Sequence, residues 1–189
     1  MNMRKSIFKL WRCAVANIMY MRASDKTKRA IDDDVRAYID PGDEVYENRL
    51  LKLDCVLLSG DRTFRNVFYY RFGTNGKLCR LSRLFLPDIK EIELYGEIDG
   101  GLRLYHNHMV VHTNKAGKNL RVGPGVIVGK NNGKYPDIGD NVVIEANSTV
   151  IGGISIGDNT VIKAGSVVTK SLEENSVYFG NPACFVKSV

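Results

Sequence analysis

The stretch VVIEANSTVIGGISIGDNTVIKAGSVV, from Val142 to Val168, decides the fold. Counting through it in sixes meets Ile144, Val150, Ile156, Ile162 and Val168, all apolar. Four residues after each of the first four lie Ser148, Ile154, Thr160 and Ser166, which are small or apolar, and Gly, Asn, Asp and Lys fill the gaps. Counting backwards from Ile144, the beat includes Ile138 and, after a break of ten residues instead of six, Val128, Val122, Ala116, Val110, Leu104, Ile98 and Ile92. A helical period of 3.6 or a strand period of 2 does not hold such a series in register. A six-residue unit cannot bury an apolar face alone, so successive turns must stack on one continuous core. The reading is a parallel β-helix of hexapeptide repeats.

Three six-residue sides make one coil of a triangular prism. One side is expected to stack Ile92, Val110, Val128, Val150 and Val168. The second stacks Ile98, Ala116, Ile138 and Ile156, and the third Leu104, Val122, Ile144 and Ile162. The extra residues between Val128 and Ile138 form an extruded loop over 129–137, and a regular solenoid interrupts itself where a face has a use. Past Leu172 the beat fades, so 173–189 reads as a cap on the open end of the core, with a turn at Asn181-Pro182.

Residues 1–90 read as a helical region. Asp32, Asp33 and Asp34 are expected to cap a short helix that runs to Ile39 and stops at Pro41-Gly42. Helices follow over 44–58, over 62–72 with Asp61 as N-cap, and over 78–86. Phe64, Phe68, Tyr69, Tyr70 and Phe72 are read as packing residues rather than a ligand box. Met1 to Met21 reads as a basic amphipathic helix with Ile7, Phe8, Trp11, Val15, Ile18 and Met21 on its packed side. Peripheral membrane contact through residues 3–21 is the alternative use.

The chain has 189 residues, a formal charge of +6 and a pI near 9.1. Such a balance suits anionic small molecules or a solvated surface, and no nucleic-acid partner is expected. Cys13, Cys55, Cys79 and Cys184 lack metal or disulfide spacing, which fits reduced thiols and a cytoplasmic location. No run is apolar enough to span a bilayer.

All three histidines lie between Tyr105 and His112. Zinc is not expected, because the hexad count turns His106 outward at a corner, His108 inward and His112 onto the next side, whereas metal ligands converge. His106 suits a general base, and Glu91, fifteen residues earlier, suits the carboxylate that would orient it.

Gly100 to His106, Lys134 to Val142, Ile144 to Ser148, Ala164 to Lys170 and Gly180 to Ala183, in unbroken order, resemble the serine acetyltransferase branch of the hexapeptide acyltransferases. Phe64 to Arg71 is also similar to smaller members associated with surface polysaccharides. The resemblance implies a mainly β protein, a left-handed parallel β-helix preceded by an α-helical region, assembled as a homotrimer with acetyl-CoA between subunits. It assigns His106 as catalytic base and Glu91 as its orienting acid. It places Ala146, Ala164 and Gly165 along the pantetheine arm and Lys170 near the CoA phosphates. Tyr105 replaces an acceptor-binding aspartate, and Lys134-Tyr135 replaces an Arg-His pair. Those departures point away from free serine and toward a sugar hydroxyl in surface-glycan assembly, with serine O-acetylation as the alternative. A non-catalytic β-helical assembly module is the rival from another class.

Overall fold

A computed structural model describes residues 9–39 and 47–189, and divides the chain into Met1–Ile89 and Lys90–Val189. The expectations for Ile7, Phe8, Pro41, Gly42 and the start of the 44–58 helix lie outside the described residues.

In the first unit a 3-10 turn, Leu10–Cys13, leads into α1, Ala14–Arg22. The face of α1 is not the expected one. Cys13, Ala16, Met19 and Tyr20 are buried, while Trp11, Ile18 and Met21 are exposed. Small Cys13 and Ala16 admit close approach of the neighbouring helices, and the spacing 13, 16, 19, 20 keeps them on one stripe. The bulky residues were the misleading signal.

Helix α2, Asp25–Ala37, also differs from expectation. Ser24 caps it by accepting from Thr27 N at 3.2 Å, so the three aspartates sit within the helix. Each has a partner there: Tyr20 OH donates to Asp32 at 2.7 Å, Asp33 meets Arg36, and buried Asp34 takes a two-pronged grip from Arg71 at 2.8 and 2.9 Å. Helix α3, Arg49–Leu58, begins at Asn48, whose side chain accepts from Leu50 N and Leu51 N. Helix α4 is Thr63–Arg71, with Asp61 accepting from Thr63 N at 3.1 Å. Phe64, Phe68 and Tyr69 are buried on α4, and the Tyr69 hydroxyl lies 2.9 Å from both Ser82 Oγ and Leu86 O. Helix α5 is Lys77–Arg83.

The second unit is a parallel β-helix. Its strands are β1 (Ile92–Ile98), β2 (Arg103–Leu104), β3 (Met109–Ala116), β4 (Arg121–Val122), β5 (Ile127–Gly129), β6 (Asp137–Ile138), β7 (Val143–Ile144), β8 (Thr149–Ile151), β9 (Ser155–Ile156), β10 (Val161–Ile162), β11 (Val167–Val168), β12 (Ser176–Phe179) and β13 (Cys184–Ser188). Two columns match the six-residue count: Ile98–Ala116–Ile138–Ile156 and Leu104–Val122–Ile144–Ile162. The third is displaced by one residue at its lower end. Val128 pairs with Val111 and Val111 with Leu94, so Met109 and Val111 point inward where Val110 was expected. One residue more separates Leu104 from the next inward valine, Val111, than the beat allows, and the turn takes it up with His106 and His108 at φ of 64° and 58°.

One corner carries a ladder. Asn119, Asn141, Asn159 and Asn175 all have φ between 55° and 59°, and each amide donates to the next carbonyl oxygen at 2.8, 3.0 and 2.8 Å. Asparagine tolerates this left-handed turn better than most side chains, and the ladder satisfies its amide. The buried hydroxyls at the second hexad positions also find acceptors, Ser148 on Lys163 O at 3.0 Å and Thr160 on Glu173 O at 2.9 Å.

The expected cap is more regular than a cap. β12 stacks parallel on β10, and β13 then returns antiparallel against β12.

Candidate active site

The site is built on another corner, where the chain leaves the Leu104–Val122–Ile144–Ile162 column. Stacked here are Tyr105–His108, Gly123–Gly125, Glu145–Asn147 and Lys163–Gly165. Backbone bonds hold the stack: Tyr105 N to Val122 O, Gly123 N to Ile144 O, Asn147 N to Pro124 O and Gly165 N to Ala146 O, all between 2.8 and 2.9 Å. The corner is made of small residues because the coils touch there. A Cβ on Gly123 would lie 2.6 Å from Ala146 N.

The structure thus brings His106 onto the same corner as Ala146, Ala164 and Gly165. His106 is exposed and held in a left-handed turn. Histidine adopts that region more readily than most side chains, but it remains a conformation that needs support, and such outliers gather at functional sites. His108 is exposed too, not inward as the hexad count had it, because the extra residue in this turn shifts the register. Tyr105 is half-buried with the Arg103 guanidinium 5.0 Å from its ring centre. Ala164 N–H is donated to Glu145 Oε2 at 3.1 Å, and Lys163 pairs with the same carboxylate at 2.6 Å, so Ala164 offers a ligand chiefly its methyl surface. Lys170 is exposed two residues beyond Val168, at the far end of the side that this corner begins.

Glu91 is exposed, and its backbone carbonyl accepts from Met109 N at 3.0 Å. The pairing of Ile92 with Met109 therefore sets Glu91 beneath His108 rather than beneath His106. Among the described residues the histidine that has a carboxylate in ion-pair range is His112, with Nε2 3.4 Å from Glu93 Oε2. The sequence reading gave no role to Glu93 or Tyr95 and weighed His112 only as a metal ligand. Leu94 and Val111 are register partners in the structure, so Glu93, Tyr95 and His112 alternate outward onto one face, a placement that the six-residue count with Val110 inward did not give.

The extruded loop is a tight hairpin, Asn131 pairing with Lys134 around Asn132 and Gly133, both at positive φ. Thr113 Oγ1 and Asn114 N donate to Pro136 O at 2.6 and 3.0 Å and tether its exit. That fixes Tyr135 against His112 and Tyr95, with ring centres 6.4 and 5.9 Å away. Lys134 lays its methylenes along Gly153, where a Cβ would come within 2.8 Å of them. Among the described residues no three His, Cys, Asp or Glu side chains are grouped to hold a metal ion. No described helix is long and apolar enough to cross a membrane.

Residues 135–170 match the bacterial transferase hexapeptide (six repeats) family. A serine acetyltransferase of Staphylococcus epidermidis is 36% identical over 118 residues, which are 58% of this chain and 54% of that protein. The chain spans about half the length of the curated relatives it matches. Among solved structures, the serine acetyltransferase of Brucella abortus strain S19 aligns over 90% of this chain and 72% of its own at 23% identity, with a TM-score of 0.65. The same Brucella protein in complex with coenzyme A aligns over 90% of this chain and 71% of its own at 24% identity, with a TM-score of 0.58. These likenesses establish the fold.

Proposed function

We propose that this hexapeptide-repeat chain is an acetyl-CoA-dependent O-acetyltransferase, similar to the serine acetyltransferases, that moves the acetyl group directly to an acceptor hydroxyl. The observation that carries this reading is the shared corner: an exposed histidine turn continues the same stack as a strip of small residues. A narrow thioester arm needs such a strip, because side chains there would keep it off the backbone. The coenzyme A complex of the Brucella neighbour supports the choice of donor.

In this scheme Ala146, Ala164 and Gly165 line the pantetheine arm, and Lys170 meets the CoA phosphates as a point charge. His106 takes the proton from the acceptor hydroxyl as its oxygen forms a bond to the thioester carbonyl carbon. The C–S bond breaks, the acetyl ester forms, and the proton passes from His106 to the departing thiolate. Glu91, one coil below the turn that carries His106 and His108, is the carboxylate assigned to orient the imidazole. The protein acts as a homotrimer, with the donor lying in the groove between neighbouring subunits.

The names of the relatives favour serine as acceptor. Tyr105, Lys134 and Tyr135, which carry no anion to hold an ammonium group, favour a sugar hydroxyl instead. The test is acetyl-CoA consumption with serine beside a panel of amino sugars and glycans. Turnover with at least one of them is expected, in a species three times the 21.1 kDa chain mass by sedimentation. Acetyl-CoA binding with no turnover on any hydroxyl would leave a non-catalytic assembly module. A monomer with full activity would remove the groove between subunits from the scheme.

A further inference from the structure

On the face shared by β1 and β3 three rings stand together. Tyr95 and His112 are register partners with ring centres 5.7 Å apart and planes at 62°. Tyr135 meets Tyr95 at 46° and His112 at 66°. The Glu93 carboxylate lies 3.4 Å from His112 Nε2 at the side of the cluster. Tyr95 is 59% exposed, and the Glu93 and His112 side chains are 65% and 31% exposed, so burial does not explain why these rings are here. Loop tethering does not explain them either. The Pro136 carbonyl bonds to Thr113 and Asn114, and the 2.8 Å bond from Asn114 Nδ2 to Asp137 Oδ1, already hold the hairpin exit.

The geometry of the rings limits what they can bind. Rings in edge contact leave no gap for an ammonium group between them, so the cluster is not an aromatic cage. What it offers is the exposed ring face of Tyr95, flanked by the inclined rings of Tyr135 and His112, with the Glu93 carboxylate at its side. A pyranose complements that arrangement. The C–H bonds on one side of the sugar carry partial positive charge and meet the negative ring face, while its equatorial hydroxyls reach the carboxylate. A carboxylate accepts two adjacent hydroxyls with stronger bonds than a neutral group makes.

We infer that Tyr95, Tyr135, His112 and Glu93 form a sugar-binding subsite for the acceptor, and that the acceptor is an oligosaccharide. This rests on the acetyltransferase reading above. The length follows from the strand: His112 lies three residues along β3 from Met109, where the His106 turn ends, a run of about 10 Å. A hydroxyl beside His106 and a sugar ring on Tyr95 therefore belong to different sugar units of one acceptor. The subsite holds the unit that is not acetylated and contributes to binding rather than to the chemical step.

Two measurements on the full chain test this. Saturation-transfer NMR with methyl β-D-glucopyranoside, cellobiose, chitobiose and L-serine as probes reads binding without turnover. At least one sugar should receive saturation, strongest at the protons of one ring face. Tyr95→Leu and Tyr135→Leu should each weaken that sugar five- to tenfold while circular dichroism stays unchanged. Where transfer occurs, a disaccharide should be the better acceptor, and Tyr95→Leu should raise its KM while kcat moves less than twofold. Failure of every sugar to bind, or equal binding by wild type and both variants, overturns the subsite. Loss in kcat with KM unchanged overturns its role in binding. Transfer to serine without sugar binding ends this inference and leaves the acetyltransferase reading intact. Sugar binding without consumption of acetyl-CoA on any hydroxyl ends that reading and leaves a sugar-binding face.

Discussion

His106→Ala carries the sharpest consequence at the scale of single residues. If its imidazole accepts the hydroxyl proton, acetyl transfer should fall by about two to four decades, measured as coenzyme A release, with the fold retained. Near-normal turnover would move the base elsewhere, and His112 with its Glu93 partner is then the next group to test. A second residue-scale consequence lies in the helical unit. Asp54 is buried, its Oδ2 accepts from Asn17 at 3.3 Å and the Cys13 thiol lies within bonding reach of the carboxyl, yet burial outweighs both and raises its pKa above the ordinary value. A carboxyl that holds its proton more tightly in the folded chain than in the unfolded one favours the fold most in acid. That gain fades as pH climbs from about 4, the unfolded value, through the raised folded one. Asp54→Asn, which carries no charge, should therefore match the wild type most closely in Tm near pH 4 and exceed it near pH 7. A larger gain in acid than at neutrality would reverse the assignment.

The element most open to dissection is the asparagine ladder. Asn141 accepts from Asn119 and donates to Asn159, and it does so at a φ of 57°. Asn141→Ala loses both bonds and leaves an alanine in a left-handed turn, a sum of about 2–4 kcal/mol. Asn141→Gly keeps the turn accessible and should cost about half as much. Equal losses in chemical denaturation would mean that the turn conformation contributes nothing. Elements also show what the sequence could disclose. The β-helix was legible because its beat recurs at thirteen positions, and Ile144, Ile156 and Ile162 fall where the count puts them. The slip at Val110 was not, because counting assumes constant spacing, and the turn takes up one extra residue between Leu104 and Val111 with His106 and His108 at positive φ. The face of α1 was misread because Trp11 and Ile18 weigh more on a hydropathy count than Cys13 and Ala16, whereas close packing selects for small size. At the site, Ala146, Ala164 and Gly165 came from the family resemblance rather than from the repeat, and the structure stacks them on one corner with His106. The ring cluster came from neither, since Tyr135 reaches Tyr95 only through the loop tether at Pro136.

Across the whole molecule the four cysteines report on packing in both units. Cys13 and Cys79 are buried and Cys55 half-buried, and burial pushes all three thiols up, whereas Cys184 is exposed on β13. The thiolate is the reactive form, so a disulfide reagent should find one fast thiol in the native protein and four after unfolding. Cys184→Ser should abolish the fast phase, and a fast phase that survives would mean that the helical unit opens. The strand bearing that cysteine has a wider consequence. A column of parallel coils is an unfinished stack, because its last rung displays the same donors and acceptors that recruited it. By doubling back, β13 offers the next arrival a ribbon of opposite polarity, with Lys187 on it. A second molecule docking on this side would therefore meet an antiparallel edge rather than a continuation of the parallel column.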